Sequence, residues 1–277
     1  MKKWLALIVL VMSIGFLAAC GQQEEKAAST GAKEELKKIT VGASAVPHAE
    51  ILEHVKAALK KKGIDMEVKV FDDYVLPNTA LEDKQLDANY FQTVPYMEQF
   101  NKKHGTHIAG LDGIHFEPMG LYPGKEKRTE PKQGAVIAIP DDVTNSARAL
   151  KLLETQGWIK LTPGKELNSI TKQDIVENPK NVQVKEMQAA MLPRAVNEVD
   201  YAVINGNYAM EGGLTTDQAI TMEKKDSDAA KQHANIISVR AGDENREDIK
   251  TLIEVLKSDD VKKFIEEKYK GAVVSVF

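Results

Sequence analysis

Apolar residues along this chain come in short runs that switch between the period of a strand and the period of a helix. The segment ITVGASA, from Ile39, combines the β-branched and small residues of a buried strand, and a helical pattern follows Pro47, from Ala49 to Lys62. EVKVF (67–71) predicts a second strand, and Pro77 to Asp83 a turn with a short helix. LDANYF follows as a third strand, with Pro95 in the first turn of the next helix, where a proline is well tolerated. Strand, helix, strand, helix is the rhythm of a parallel α/β sheet.

A break at Tyr122-Pro123-Gly124-Lys125 interrupts the pattern, which then resumes with AVIAI (135–139) and a helix from about Asn145 to Gln156. The stretch 169–178, VQVKEM, a helix running through Glu198 and the strand YAVIN (201–205) complete a second set. A last strand, NIISVR (235–240), precedes two amphipathic helices between Glu244 and Lys270. Two α/β sets with a late strand free to return to the first sheet predict two lobes and a cleft at the strand ends, where open α/β sheets place ligands.

The first residues obey a different pattern. Lys2 and Lys3 precede an apolar run from Trp4 to Leu17, and small residues lead to the one cysteine, Leu17-Ala18-Ala19-Cys20. This is the layout of a secretory signal ending in a lipobox. The run falls short of the about 20 apolar residues that span hydrocarbon, and it contains Ser13 and Gly15. Residues 1–19 are therefore expected to be a lipoprotein signal peptide and Cys20 the lipidation site, anchoring the chain to the extracytoplasmic face of the cell membrane. From Gly21 to Lys38 large apolar residues are almost absent, so 20–38 reads as a lipid-anchored flexible tether. The ordered domain is expected over 39–277.

Charge and composition narrow the function. Loss of the signal removes two lysines and no acid, leaving 35 basic against 41 acidic side chains and a formal net charge of −6. That balance argues against nucleic acid, whose backbone calls for a basic field. With Cys20 modified, no thiol remains for a disulfide, a nucleophile or a metal. The closest histidine pair, His104 and His107, lies in a polar glycine-containing turn without an acid cluster, so no metal site is expected, and no cofactor. GxSxG, Walker, GxGxxG and HExxH motifs are missing, which leaves a surface lipoprotein enzyme as the weaker alternative.

The chemistry concentrates in Asp73 to Leu81 and Asp87 to Tyr96, where aromatics crowd the ends of expected strands. A single buried ring is commonly core. As a group, punctuated by Asn and Pro, these rings suggest a box for a small apolar ligand.

DYVLPNTAL, LDANYFQTVPY, DDVTNSARAL, ENPKNVQ, LPRA, YAVINGNYA and ANIISVR, in this order behind a lipobox, closely resemble the methionine-binding lipoproteins that serve methionine ABC importers. The resemblance implies a periplasmic-binding-protein-like α/β fold, two α/β lobes joined by crossover strands with a ligand cleft between them, and no catalysis. It implies lobe 1 at about 39–121 plus 235–277 and lobe 2 at about 122–234. It places Tyr74, Phe91 and Tyr96 around the ligand side chain, Arg148 on the α-carboxylate, and Asn205 and Asn235 on the head group. Thr93 stands where many relatives carry histidine, which opens the ligand range at one wall, and Gln232-His233-Ala234 where they often carry Pro-Tyr-Val. The implied partners are L-methionine or a close derivative and the permease and ATPase subunits of the transporter. The same role for another apolar amino acid or a methionine-containing dipeptide stays open.

The chemistry is coherent by itself, because a zwitterion enclosed in protein needs a guanidinium fork for its carboxylate and side-chain oxygens for its ammonium.

Overall fold

The computed structural model describes residues 35–225 and 228–277. The expected signal peptide, Cys20 and most of the tether lie outside the described residues. The chain begins with β1 (Lys37–Ala43), α1 (Glu50–Lys61), β2 (Ile64–Val70), α2 (Leu76–Glu82), β3 (Ala88–Thr93), α3 (Val94–His104) and β4 (Ile108–Phe116). It continues with β5 (Gly120–Pro123), β6 (Val136–Pro140), α4 (Val143–Thr155), β7 (Lys160–Leu161), β8 (Ile175–Glu177), β9 (Gln183–Met187), α5 (Leu192–Ala195), β10 (Tyr201–Ile204), α6 (Gly206–Glu211) and β11 (Thr221–Met222). The last elements are α7 (Asp228–Gln232), β12 (Asn235–Arg240), α8 (Glu247–Leu256), α9 (Asp259–Tyr269) and β13 (Val274–Ser275). Among the described residues no helix is long and apolar enough to cross a membrane.

Two sheets result. One has the order β13-β4-β12-β3-β1-β2, the other β11-β5-β10-β6-β9, and β7 with β8 forms a small hairpin ladder. The α/β rhythm makes β1, β2 and β3 parallel, as expected. The sheets are nevertheless mixed: β12 runs antiparallel to both β3 and β4, and β5 antiparallel to β10. The late strand does return to the first sheet, and it enters between two strands already present, so its direction is set by where the chain re-enters. β4 and β5 escape the sequence pattern because two glycines, Gly110 and Gly113, interrupt one and the break at 122–125 truncates the other.

Each sheet buries its own core. Ile39, Val41, Ile51, Leu52, Val55 and Leu59 pack with Ile249, Leu252, Leu256, Val261 and Ile265 of α8 and α9. Ile137, Ile139, Leu150, Leu153, Trp158, Tyr201 and Val203 fill the second sheet's core. Helix ends follow their sequence signals: Asp142 accepts from Asn145 N–H at the start of α4, and Gly105 closes α3 at a φ of 68°, which glycine adopts without strain. The helix expected through Glu198 is a correction. Only Leu192–Ala195 is α-helical, preceded by a 3-10 turn at Ala189–Met191, because Pro193 can sit only in a first turn.

Two short crossings join the sheets. Residues 117–119 lead from β4 into β5, and 223–234 lead from β11 back towards β12. The ends of β3 and β10 from which the following helices depart border one pocket.

Candidate functional site

These strand ends are where the sequence-expected residues meet. Tyr74, Phe91, Thr93, Tyr96, Arg148, Asn205 and Asn235 line a single pocket, together with Gln92, Glu117, Asn145, Gly206 and Asn207. β3 ends in Phe91, Gln92 and Thr93, β10 delivers Asn205, α4 carries Arg148, and Asn235 opens β12.

The aromatic wall is a cluster of tilted and edge-on rings. Tyr74 lies 5.8 Å from Phe91 and 5.6 Å from Tyr96 between centroids, and 4.9 Å from Tyr208 on α6. Its hydroxyl donates to Asn207 Oδ1 at 2.5 Å, and Tyr96 donates to the Tyr74 carbonyl at 3.0 Å. The polar ends of these rings are satisfied by protein, so their faces remain as apolar surface. Asn78 and Asn89 of the same stretch do not face the cavity. With Gln92 and Ser238 they form a fully buried hydrogen-bond network that braces α2 against β3 and β12. The Thr93 hydroxyl has a partner as well, accepting the Tyr96 N–H at 3.4 Å at the start of α3.

The polar floor centres on Arg148, which is 6% exposed. Its Nε and Nη2 fork onto Glu223 at 3.0 and 2.6 Å, Nη1 donates to Asn145 Oδ1 at 3.1 Å, and Nη2 donates to the Glu117 carbonyl at 3.3 Å. Burial alone would push the Glu223 carboxyl up, but the charge and hydrogen bonds of Arg148 outweigh it and hold that carboxyl below its usual range. Arg148 thus ties α4 to both crossings, one through Glu117 and the other through Glu223. A guanidinium has five N–H groups, and these contacts leave one, on Nη1.

The asparagines divide the remaining work. Asn205 occupies the N-cap position of α6 without capping it. It donates Nδ2 to Asn145 Oδ1 at 2.9 Å, and its Oδ1 is buried without a partner. Asn207 Nδ2 is likewise buried without a well-formed hydrogen bond, with the Glu211 carboxylate in its neighbourhood. Asn235 commits Oδ1 to His48 Nε2 at 2.9 Å, which leaves its amide N–H groups to offer.

Behind Asn235 lies a cluster that sequence reasoning missed. His48, His115 and Glu117 are all buried, with His115 Nε2 at 2.7 Å and His48 Nε2 at 3.3 Å from Glu117 Oε1, and with Tyr90 hydroxyl on His115 Nδ1. Burial holds both imidazoles far below 6.5: His48 at about 4, against the pull of Glu117, and His115 at about 3. These three are the ligand types that could hold a metal, the one such group among the described residues. Each Nε2 faces an oxygen at hydrogen-bond distance, which assigns its proton there, so the lone pair of each neutral ring sits on Nδ1, taken by the Tyr90 hydroxyl in His115 and buried without a partner in His48. His104 and His107 part company, His104 stacking on Phe100 and His107 bonding Glu82 at 3.2 Å.

Glu117, Asn145, Asn207 and Glu223 thus belong to the site without having been anticipated. Glu117 gave one signal, an acid within the otherwise uncharged run Ile114 to Pro123. Glu223, in MEKKD, looks like any surface acid.

A pocket at strand ends between two joined α/β sheets, with buried polar atoms left partnerless, has the form of a ligand-binding site. The chain belongs to the NlpA lipoprotein family, whose model matches residues 39–277. It is similar to the methionine-binding lipoprotein MetQ of Bacillus subtilis (strain 168), 39% identical over 100% of this chain and 99% of that one. It is similar in structure to a nutrient-binding protein from Burkholderia cenocepacia bound to methionine, at 41% identity and a TM-score of 0.81, over 86% of this chain and 100% of the other. A periplasmic substrate-binding protein of an ABC transporter from Coxiella burnetii matches at 35% identity and a TM-score of 0.80, with the same coverage. The protein is accordingly an ABC-type substrate-binding lipoprotein, anchored by lipid outside the cytoplasm.

Proposed function

We propose that this lipoprotein captures methionine outside the cell membrane and passes it to the permease of an importer driven by a cytoplasmic ATPase. The observation that carries the reading is the pairing of an apolar aromatic wall with a floor that offers an unused acceptor, Asn205 Oδ1, and unused donors on Arg148, Asn207 and Asn235. A free amino acid with an unbranched apolar side chain supplies the matching groups. Its carboxylate meets the remaining Nη1 donor of Arg148 and the asparagine amides. Its side chain enters among Tyr74, Phe91 and Tyr96. Burying that side chain contributes roughly 2 to 3 kcal/mol, with some sulfur–aromatic attraction. Micromolar binding needs about 8 kcal/mol, so head-group contacts and closure must contribute the larger share.

In this reading the lobes are about 39–121 plus 235–277 and about 122–234, and closure moves one against the other about the crossings. Cys20 carries the lipid anchor. A methionine-containing dipeptide is the second reading. One feature favours it: beyond Tyr74 and Tyr96 lies a larger open space of about 1470 Å³, lined by Asp73, Asp141, Asp142 and Tyr208 among others, where an extended ligand would find room.

Mass spectrometry of small molecules released by denaturing the purified protein tests the proposal, followed by calorimetry with the compound found. Methionine is the expected result. A retained sugar, metal chelate or strictly apolar lipid would overturn it.

A further inference from the structure

The site's charges do not balance, and the imbalance points to a ligand contact not yet assigned. Glu117 is 6% exposed and lines the cavity. Its Oε1 receives the His115 Nε2–H, while His48 Nε2, 3.3 Å away, gives its proton to Asn235, and neither neutral imidazole offsets a full negative charge. The nearby cation, Arg148, touches Glu117 only at the backbone carbonyl and spends its fork on Glu223. Burial outweighs the pull that Arg148 exerts from a distance on the Glu117 carboxyl, and among the described residues no Lys or Arg side chain contacts that carboxylate. Burying a carboxylate in that condition is costly unless a cation joins it.

The surrounding backbone packs closely against this carboxylate. Gly206 follows Asn205 directly, and a Cβ there would stand 2.8 Å from Glu117 Cβ and 3.1 Å from Oε2. Only a glycine lets the start of α6 come this close to the Glu117 side chain, and Asn205, its neighbour in the chain, lines the same pocket. Two acceptor side chains, one of them anionic, thus line one pocket. Three-donor cations of small radius fit such a pair, and an ammonium group is the one a free amino acid carries.

We propose that Glu117 is the counter-charge for the ligand's ammonium group, with Asn205 Oδ1 as its second acceptor, so that the site admits ligands only with a free, protonated amine. The inference rests on the amino-acid reading of the cavity. It adds a specificity element on the first crossing between the sheets, opposite the guanidinium on α4. Acylated or deaminated analogues then fail for want of a cation, whatever their side chain.

The test compares L-methionine with 4-(methylthio)butanoate, which is methionine without its amine, by calorimetry at pH 7.5 in the wild type and in Glu117→Gln. Truncating one partner of a buried charge pair weakens binding by about 30-fold or more. The wild type should therefore prefer methionine by at least about 30-fold on that same scale. In Glu117→Gln that preference should shrink by about tenfold or more, through loss of methionine affinity, while the deaminated acid binds as before. Methionine affinity unchanged in a folded Glu117→Gln protein overturns the inference and leaves the amino-acid reading standing. If the variant does not fold, the wild-type comparison decides: equal affinities for the two ligands overturn the inference. A wild type that binds no free amino acid at all sinks the reading of the site and this assignment with it.

Discussion

Replacing Arg148 by methionine, which keeps its length and removes its charge, separates a buried ion pair from a surface one. At the surface the pair with Glu223 would be worth about 0 to 1 kcal/mol. Here the side chains are 6% and 17% exposed, the contacts are bidentate at 3.0 and 2.6 Å, and Met119 N–H also binds Glu223 at 2.8 Å. Removing one partner of such a pair costs about 3 to 5 kcal/mol, because the other charge is left buried. For a domain of this size each kcal/mol shifts the melting temperature by about 2 to 4 °C, so Arg148→Met should melt roughly 6 to 20 °C lower by the same relation. The double variant Arg148→Met, Glu223→Gln should recover much of the loss, since no charge remains unpaired. In Arg148→Met alone, Glu223 regains the upward push of burial. The variant should therefore lose less, relative to wild type, at pH 5 than at pH 7.5, as its carboxyl takes up a proton that the wild type refuses. Urea melts of the four proteins at both pH values measure all of this. A single-variant loss below about 1 kcal/mol, the surface-pair figure, or a double variant no better than the sum of the singles, would refute the reasoning.

The remaining predictions are narrower. In the absence of ligand, stability should fall as pH drops from 6.5 towards 4 for His48 and towards 3 for His115, since the unfolded chain binds those protons first. Each group adds a slope of about 1.4 kcal/mol per pH unit inside its window; Glu117 and Glu211, whose carboxyls burial pushes up, act in the opposite sense, so the deciding measurement is an NMR titration of the imidazoles, and a His48 or His115 ring that protonates near 6.5 contradicts their burial. Gly206→Ala should cost about 1 to 3 kcal/mol by overpacking against Glu117 and should weaken methionine binding, whereas wild-type values in both assays would show that the close approach is dispensable. Thr93→His should narrow the ligand range by about 1 to 3 kcal/mol against bulkier ligands such as glycyl-methionine, read as a competition panel, and identical rank orders and ratios in the two proteins would show position 93 to be neutral. Cys20→Ser should abolish acylation in cells, and continued fatty-acid labelling would remove Cys20 as the anchor.

Local pattern determined much of this protein. Period and turn chemistry placed β1, α1, β3, α4, β10, β12 and the two terminal amphipathic helices to within a few residues, because each buries one face against a sheet and must repeat accordingly. The same logic put aromatic residues at strand ends, while the seven residues expected at the cleft came from the family resemblance, and they line one pocket. Sequence periodicity carries no information about strand direction, so the antiparallel entry of β12 between β3 and β4 came only from the tertiary structure. Nor could it reveal partnership. Arg148 and Glu223 lie 75 residues apart, and nothing local distinguishes MEKKD from a solvated acidic turn. His48 lies far along the chain from His115 and Glu117, and the neutral imidazoles follow from burial that only packing creates. Charge in water is cheap wherever it sits along a chain. Inside a folded protein its cost depends on what stands within a few ångströms, and that is decided by the tertiary structure alone.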